Sequence, residues 1–479
     1  MKTSTVVGAT IGLLAVAAVG YAIYFDSKRR NDPEFRRRLK KERKRVLKLA
    51  HEEAKTLSNK SAQTVEEAFA GISEDDFPTS MEQREKFCME QLSAGEALFT
   101  QGPEHYAQAA ICFFKALKVY PAPAELVMVY QKTIPPEVFT LVMGMLSKDV
   151  QSKHERYYTV FPPKDMNVEV KEKPEGVAAD GQEVMRRGLV ARKSFSAGEI
   201  IYTEEPIISS LEPSLEGKNF CHYCLKQIVN EESKVPCSKC TQAVFCSVEC
   251  KVSASQEFHD VLCTKDLEYA SSPEHSLHAY TKTTRKLVLE MLAKFLVMMV
   301  HEGSQNSRPE YSSFDHMEQL RYLGISSSEE EEKEMELLKG ALGSNIPGID
   351  EFITEERYLL MKGRLLYNIY GISTSLDPNL DDVEPLPERH RSVCDAPITG
   401  VGFYKVTSYL MHSCKPNAKI VFSEYDHKVS LITTREVKAG DELFVGYIKN
   451  DSLSTEERRL ELFDKYRIRC MCPLCETTD

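Results

Sequence analysis

Eight metal-ligand side chains fall within residues 221–263 of this chain, arranged as Cys221-x2-Cys224, Cys237-x2-Cys240, Cys246-x3-Cys250 and His259-x3-Cys263. Four such pairs supply two tetrahedral donor sets with no position left for water, the pattern of structural zinc. So short a segment buries little apolar surface of its own, so its folding depends on the metal. The spacing leaves open whether consecutive or alternate pairs share an ion. Cys470-x-Cys472-x2-Cys475 offers three more thiolates, and a tetrahedral ion needs a fourth. Twelve of the 14 cysteines lie after residue 220. Thiolate sites persist where thiols stay reduced, so the body of the chain is expected in the cytosol or nucleus.

The other end of the chain constrains its location. Residues 6–25 carry no charge, and as a helix they would extend about 30 Å, enough to cross a bilayer. Residues 26–48 then hold 12 Lys and Arg against 4 Asp and Glu. Positive charge stays on the cytosolic side, so a single N-terminal anchor with a cytosolic body is expected. Taking that +8 and Lys2 from the net charge of −11 leaves −20 for residues 49–479. An acidic body repels phosphates, so no specific nucleic-acid partner is expected, and basic partners suit it better.

From residue 81 the apolar period is helical: Phe87, Leu92, Leu98 and Phe99, then Ala109, Phe113, Ala116 and Leu117, with a turn at Gln101-Gly102-Pro103. Small residues interleaved with aromatics fit one helix-turn-helix of the tetratricopeptide kind. The stretches IYFDSKRRNDPEFRRRL, GEALFTQGPEHYAQAAICFFKALKVYP, YQKTIPPEVFTLVMGML and YYTVFPP resemble the small presequence receptor of the mitochondrial TOM translocase over roughly residues 1–165. The resemblance implies the mitochondrial outer membrane, TOM translocase subunits as partners, and a groove for basic amphipathic presequences. Its lining would include Cys88, Met89, Leu92, Leu126, Val129 and Tyr130.

Farther on, KSFSAGEII (193–201) and REVKAGDEL (435–443) echo one another, each reading as strand, small-residue turn, strand. With Arg187-Gly188-Leu189, MHSCKPNA (411–418), ELFVGY and RRLELFDKYRIRCMCPLC, the order resembles a SET methyltransferase of the SMYD kind, split by a MYND finger. The resemblance implies interleaved zinc pairing: Cys221, Cys224, Cys246 and Cys250 on one ion, Cys237, Cys240, His259 and Cys263 on another. Cys414 would complete a third with Cys470, Cys472 and Cys475. It further implies methyl transfer from S-adenosylmethionine to a protein lysine. Tyr447 would be the catalytic tyrosine and Tyr466 would line the lysine channel, while Arg187, Gly188, Asn368 and His412 would contact the cofactor. Two positions depart from the pattern: Met411 replaces an asparagine and Ile468 an aromatic. Their loss implies weaker cofactor binding.

The expected fold class is therefore α+β and multidomain. An intermembrane-space tip (1–5) precedes a transmembrane helix (6–25) and a basic juxtamembrane segment and linker (26–80). An all-α TPR-like receptor domain (81–165) and a polar linker (166–182) follow. A β-rich SET domain comes next, its first half at 183–220 and its second at 366–450. The MYND finger (221–263) and a helical insert (264–365) separate the halves, and a post-SET zinc segment (451–479) closes the chain. Three functional readings remain: an import receptor joined to a lysine methyltransferase, one whose SET–MYND half is a non-catalytic zinc-dependent interaction module, or two halves that are joined by a gene-model fusion and work apart.

Overall fold

The structure, a computed structural model, describes residues 59–73, 76–78, 81–120, 123–177, 183–240, 242–263, 276–304, 309–375, 386–387, 389–391, 397–422, 425–448 and 453–476. Among them no helix is long and apolar enough to cross a membrane. The apolar run 6–25 and the basic stretch after it lie outside the described residues. The chain divides into two compact units, one ending at Arg156 and the other beginning at Tyr157.

The first unit is all helical: α1 (Asn59–Ala70), α2 (Met81–Phe99), α3 (Tyr106–Val119), α4 (Pro123–Thr133) and α5 (Pro136–Val160), whose last four residues fall in the second unit. The turn between α2 and α3 passes through Gly102 at φ +127°, a conformation that a side chain would strain. The two helices approach closely at Gly95, where a Cβ would stand 2.9 Å from the Phe113 ring. Phe113, Phe114, Leu117, Val138, Val142 and Met145 form the core. Three of the six expected groove residues are buried, and two of them, Leu126 and Tyr130, belong to this core. Cys88 is 5% exposed and Tyr130 2%, with Leu126 equally covered, and the Tyr130 hydroxyl donates to the Phe113 carbonyl at 3.1 Å. Met89 and Val129 are exposed and Leu92 is half-buried. Adjacent residues on a helix point about 100° apart, so Cys88 and Met89, like Val129 and Tyr130, face different surroundings.

The second unit opens with a correction. Residues 166–182, expected as linker, instead contain strand β1 (Val168–Val177), which pairs antiparallel along its length with β2 (Glu183–Ala191). Val168 and Val170 alternate with charged residues, the mark of a half-buried strand. Pro174 is accommodated because the register shifts there. Strands β3 (Ile200–Glu204) and β4 (Ile208–Leu211) precede the finger, which holds the two-residue strands β5 (Val235–Pro236) and β6 (Val244–Phe245) and helix α6 (Val248–Ala254).

The insert is helical as expected, with α7 (Leu277–Thr284), α8 (Leu287–Ser304), α9 (Ser313–Glu318), α10 (Glu329–Gly343) and α11 (Glu355–Asn368) as its main helices. Buried Glu334 of α10 accepts from Tyr280, Tyr358 and Lys362, tying α7, α10 and α11 together. Ser328 stands at the N-cap of α10, but its hydroxyl bonds Glu331 rather than a backbone amide.

The second half of the sheet system contains β7 (Tyr370–Ile372), β8 (Gly400–Phe403), β9 (Met411–His412), β10 (Ala418–Val421), β11 (Val429–Thr433) and β12 (Phe444–Val445). They form sheets in the orders β10-β11-β3, β4-β8-β7 and a parallel β12-β9 pair. The two echoing segments each turn at a glycine with positive φ, Gly198 and Gly440. Their first arms pair with one another, Phe195 against Val437 through bonds of 2.8 and 3.0 Å, instead of each folding on its own second arm. Helix α12 (Thr455–Tyr466), held by a Ser454 and Glu457 capping box, leads to the final cysteines.

Candidate functional site

Three donor groups assemble, each with its ligand atoms within 4.8 Å of one another: Cys221, Cys224, Cys246 and Cys250; Cys237, Cys240, His259 and Cys263; Cys414, Cys470, Cys472 and Cys475. In the first two groups alternate, not consecutive, pairs of the 221–263 segment come together. A π-helical turn at Ser255–His259 carries His259 to its group. Tetrahedral bonds of about 2.3 Å imply ligand separations of about 3.8 Å. Cys224 and Cys246 sulfurs stand 3.6 Å apart, Cys237 and Cys263 4.0 Å, and Cys414 lies 3.9 Å from Cys470 and 3.6 Å from Cys475. The donors fit zinc in spacing and chemistry.

The third group is built into a tyrosine cluster. The backbone N–H of Tyr447 donates to His412 Nδ1 at 3.1 Å, and His412 Nε2 lies 3.3 Å from Cys414 Sγ. The Tyr447 hydroxyl donates to the Leu410 carbonyl. The Tyr466 ring stands 5.1 Å from that of Tyr447, and its hydroxyl donates to the His390 carbonyl at 2.6 Å. Burial holds the Tyr447 phenol well above its ordinary range and pushes Tyr466 up to about 12. Both are neutral hydroxyls at physiological pH, suited to orienting a partner rather than to taking its proton.

The turn before Leu410 is set by Glu204 at the end of β3. Its buried carboxylate accepts from the Val406 and Thr407 amides at 2.8 and 2.9 Å and from the Thr407 hydroxyl at 2.6 Å. The carbonyls of Ser408 and Leu410 face the cluster, and both accept from Arg391. Tyr370 on β7 donates to the Thr407 carbonyl at 2.8 Å and accepts from Arg391 Nη1 at 2.5 Å. Arg389 lies between the rings of Tyr466 and Tyr367, at 4.6 and 4.9 Å. Its guanidinium nitrogens are buried without a hydrogen-bond partner among the described residues, and burial draws its pKa down to about 10.

The expected cofactor contacts have protein partners. Asn368, last residue of α11, donates to the Arg321 and Arg364 carbonyls at 2.7 and 2.8 Å and accepts from Arg391 at 3.3 Å. Arg187 pairs with Glu172 of β1 at 2.9 Å and stacks over Tyr158 at 4.5 Å. Gly188 lies under the Arg186–Glu442 ion pair, where a Cβ would stand 2.2 Å from Glu442. Met411 and Ile468 are both buried. Glu204, Tyr367, Tyr370, Arg389 and Arg391 were not singled out by sequence reasoning. Tyr367 and Tyr370 flank Asn368 in LLYNIYGI and share its signal, whereas the arginines come from a polar stretch with no apolar period.

Residues 8–159 match the MAS20 protein import receptor model, and residues 186–448 match the SET domain model. The chain is 41% identical over 151 residues to the mitochondrial import receptor subunit tom20 of Neurospora crassa, covering 32% of this chain and 83% of that one. It is 26% identical over 280 residues to a SET and MYND domain-containing protein of Dictyostelium discoideum, covering 58% of this chain and 76% of that one. It is also 27% identical over 299 residues to the histone-lysine N-methyltransferase SMYD3 of Mus musculus, covering 61% of this chain but only 59% of the relative. A tyrosine pair beside a four-cysteine donor group in a split β framework, with an all-helical unit earlier in the chain, agrees with both matches: the chain belongs to the SET-domain family and carries a MAS20-type import-receptor segment ahead of it.

Proposed function

We propose that this protein is an outer-membrane-anchored mitochondrial import receptor whose SET–MYND half transfers methyl groups from S-adenosylmethionine to protein lysine. The observation that carries the catalytic part is the fastening of Tyr447 to the His412–Cys414 corner beside Tyr466. Zinc in the three donor groups would hold the finger and the tail, and the third ion would anchor that corner. S-adenosylmethionine supplies an electrophilic methyl group. The chain's part is to align a neutral amine with it, and burial among tyrosines favours the neutral form. Gly188 and Arg187 on β2, with Asn368 and His412, would border the cofactor. Arg389, a buried donor without an acceptor among the described residues, is suited to an anionic group of the ligand. Presequences would meet the receptor unit through Met89, Leu92 and Val129, and the SET half would take its lysine from a precursor or a translocase subunit.

The non-catalytic reading draws support from Met411, Ile468 and the committed Asn368 amide. Calorimetric titration of the zinc-loaded protein with S-adenosylmethionine, paired with Tyr447→Phe in a methyl-transfer assay, separates the two. Binding with transfer lost in the variant supports the enzyme. Absence of binding at millimolar cofactor leaves an interaction module.

A further inference from the structure

The side chain of Arg391 is 1% exposed, and its charge is met by carbonyls and ring faces. Nη1 donates to the Tyr370 hydroxyl at 2.5 Å and to the Ser408 and Leu410 carbonyls at 3.1 and 3.5 Å, and Nη2 donates to Asn368 at 3.3 Å. The guanidinium carbon lies over the rings of Tyr447, Tyr370 and Tyr367, at 4.6, 4.9 and 5.5 Å. The backbone is fastened as well: Arg391 N donates to the Ile369 carbonyl at 2.9 Å, and Gly371 N donates to the Arg391 carbonyl at 3.1 Å. A buried cation held in this way is costly unless it fills a place built for a cation. The Leu410 carbonyl that receives Arg391 also receives the Tyr447 hydroxyl.

We propose that Arg391 is a built-in occupant of the methyl-acceptor channel, its guanidinium seated among Tyr367, Tyr370 and Tyr447 where a substrate lysine would enter, so that transfer to another protein requires its displacement. This rests on the methyltransferase reading of the tyrosine cluster. Arginine suits the role because its guanidinium stays protonated and is a poor nucleophile, whereas a lysine amine loses its proton when buried. The occupant therefore blocks without reacting. Replacing it by lysine turns the plug into an acceptor. In that variant the amine nitrogen of Lys would form a bond to the methyl carbon as the methyl–sulfur bond of S-adenosylmethionine breaks. The bonding pair would leave on sulfur and the amine proton would pass to water.

The test uses the zinc-loaded full chain as wild type, Arg391→Lys and Arg391→Ala, each checked for fold by melting temperature and zinc content. With S-adenosylmethionine, peptide mass spectrometry is expected to find a methyl group at position 391 of Arg391→Lys, absent when Tyr447→Phe is added. Independently of transfer, n-butylammonium chloride, an amine of lysine-like reach, is expected to raise the melting temperature of Arg391→Ala and leave the wild type unchanged. An unmodified position 391 in a variant that binds cofactor by calorimetry, with no butylammonium response in Arg391→Ala, overturns the plug while leaving the enzyme reading intact. A butylammonium response without cofactor binding in any variant sinks the methyl-transfer reading instead and keeps the channel and its occupant. Absence of cofactor binding together with no butylammonium response overturns both.

Discussion

His412 touches Tyr447 and Cys414 at once, accepting a hydrogen bond from the Tyr447 N–H at 3.1 Å on one ring nitrogen and standing 3.3 Å from the Cys414 sulfur with the other. The tyrosine at the centre of the cluster is thereby placed by the third donor group. Cys475→Ser is expected to lower bound zinc by one ion per chain in elemental analysis. Because Tyr447 loses its support, cofactor affinity is expected to fall about tenfold or more by calorimetry. Unchanged affinity at reduced zinc would separate the metal from the site.

Glu334 is the shared acceptor of Tyr280, Tyr358 and Lys362 in the helical insert. Glu334→Ala leaves the buried Lys362 ammonium with only the longer contact to Glu331 at 3.4 Å, and the expected loss is about 3 kcal/mol in urea unfolding. Replacing both Glu334 and Lys362 with apolar residues should cost less than Glu334→Ala alone.

Burial raises the Glu216 carboxyl to about 8, with Lys282 and His278 at 3.8 and 3.5 Å. The folded chain then binds a proton that the unfolded chain has lost, so Glu216 makes stability fall as pH rises from the ordinary carboxylate range to about 8. His278, held below its ordinary value by burial, acts in the opposite sense only below about pH 6.5. Melting of wild type and Glu216→Gln between about pH 6.5 and 8.5 isolates the carboxyl, whose slope is bounded by about 1.4 kcal/mol per pH unit. The variant should gain relative stability towards the alkaline end, and parallel curves would refute the assignment.

Gly188→Ala pushes a methyl group into the half-buried Arg186–Glu442 pair. Destabilisation of about 1–3 kcal/mol is expected from overpacking. Gly303→Ala, with open space around the added carbon, is the matched control and should be neutral or slightly stabilising.

In the receptor unit, Met89→Asp should weaken binding of a basic amphipathic peptide in an anisotropy titration with little change in melting. Tyr130→Ala should instead cost about 3–5 kcal/mol, as for other large-to-small core changes. If both variants only weaken binding, Tyr130 belongs to the docking surface after all.

The parts of the fold legible in the sequence were those with a repeated local signal. Cysteine spacing announced the metal groups, and the apolar periods announced the receptor helices and α8. Which pairs share an ion depends on how the finger folds back through β5, β6 and the turn at His259, and spacing does not encode that path. Strand β1 was missed because its two valines alternate with charge across only a few residues before Pro174, so composition outweighed period. Cys88 and Tyr130 are buried while their neighbours Met89 and Val129 are exposed, a difference set by helix phase and not by residue type. Arg391 gave no local sign at all, since its role arises from residues at 367–370, 408–410 and 447 meeting in space.

The pairing of β1 with β2 sets where this protein can be divided. A fragment beginning at residue 183 would present β2 as a bare edge, with a row of amides and carbonyls seeking another chain, and self-association would follow. The SET half can be taken out cleanly only upstream of Tyr157, whose hydroxyl lies 2.7 Å from His316 Nδ1. The portion of the polypeptide that looks like a tether is thus part of what it tethers, and separating the two halves by proteolysis would need a cut on the N-terminal side of that point.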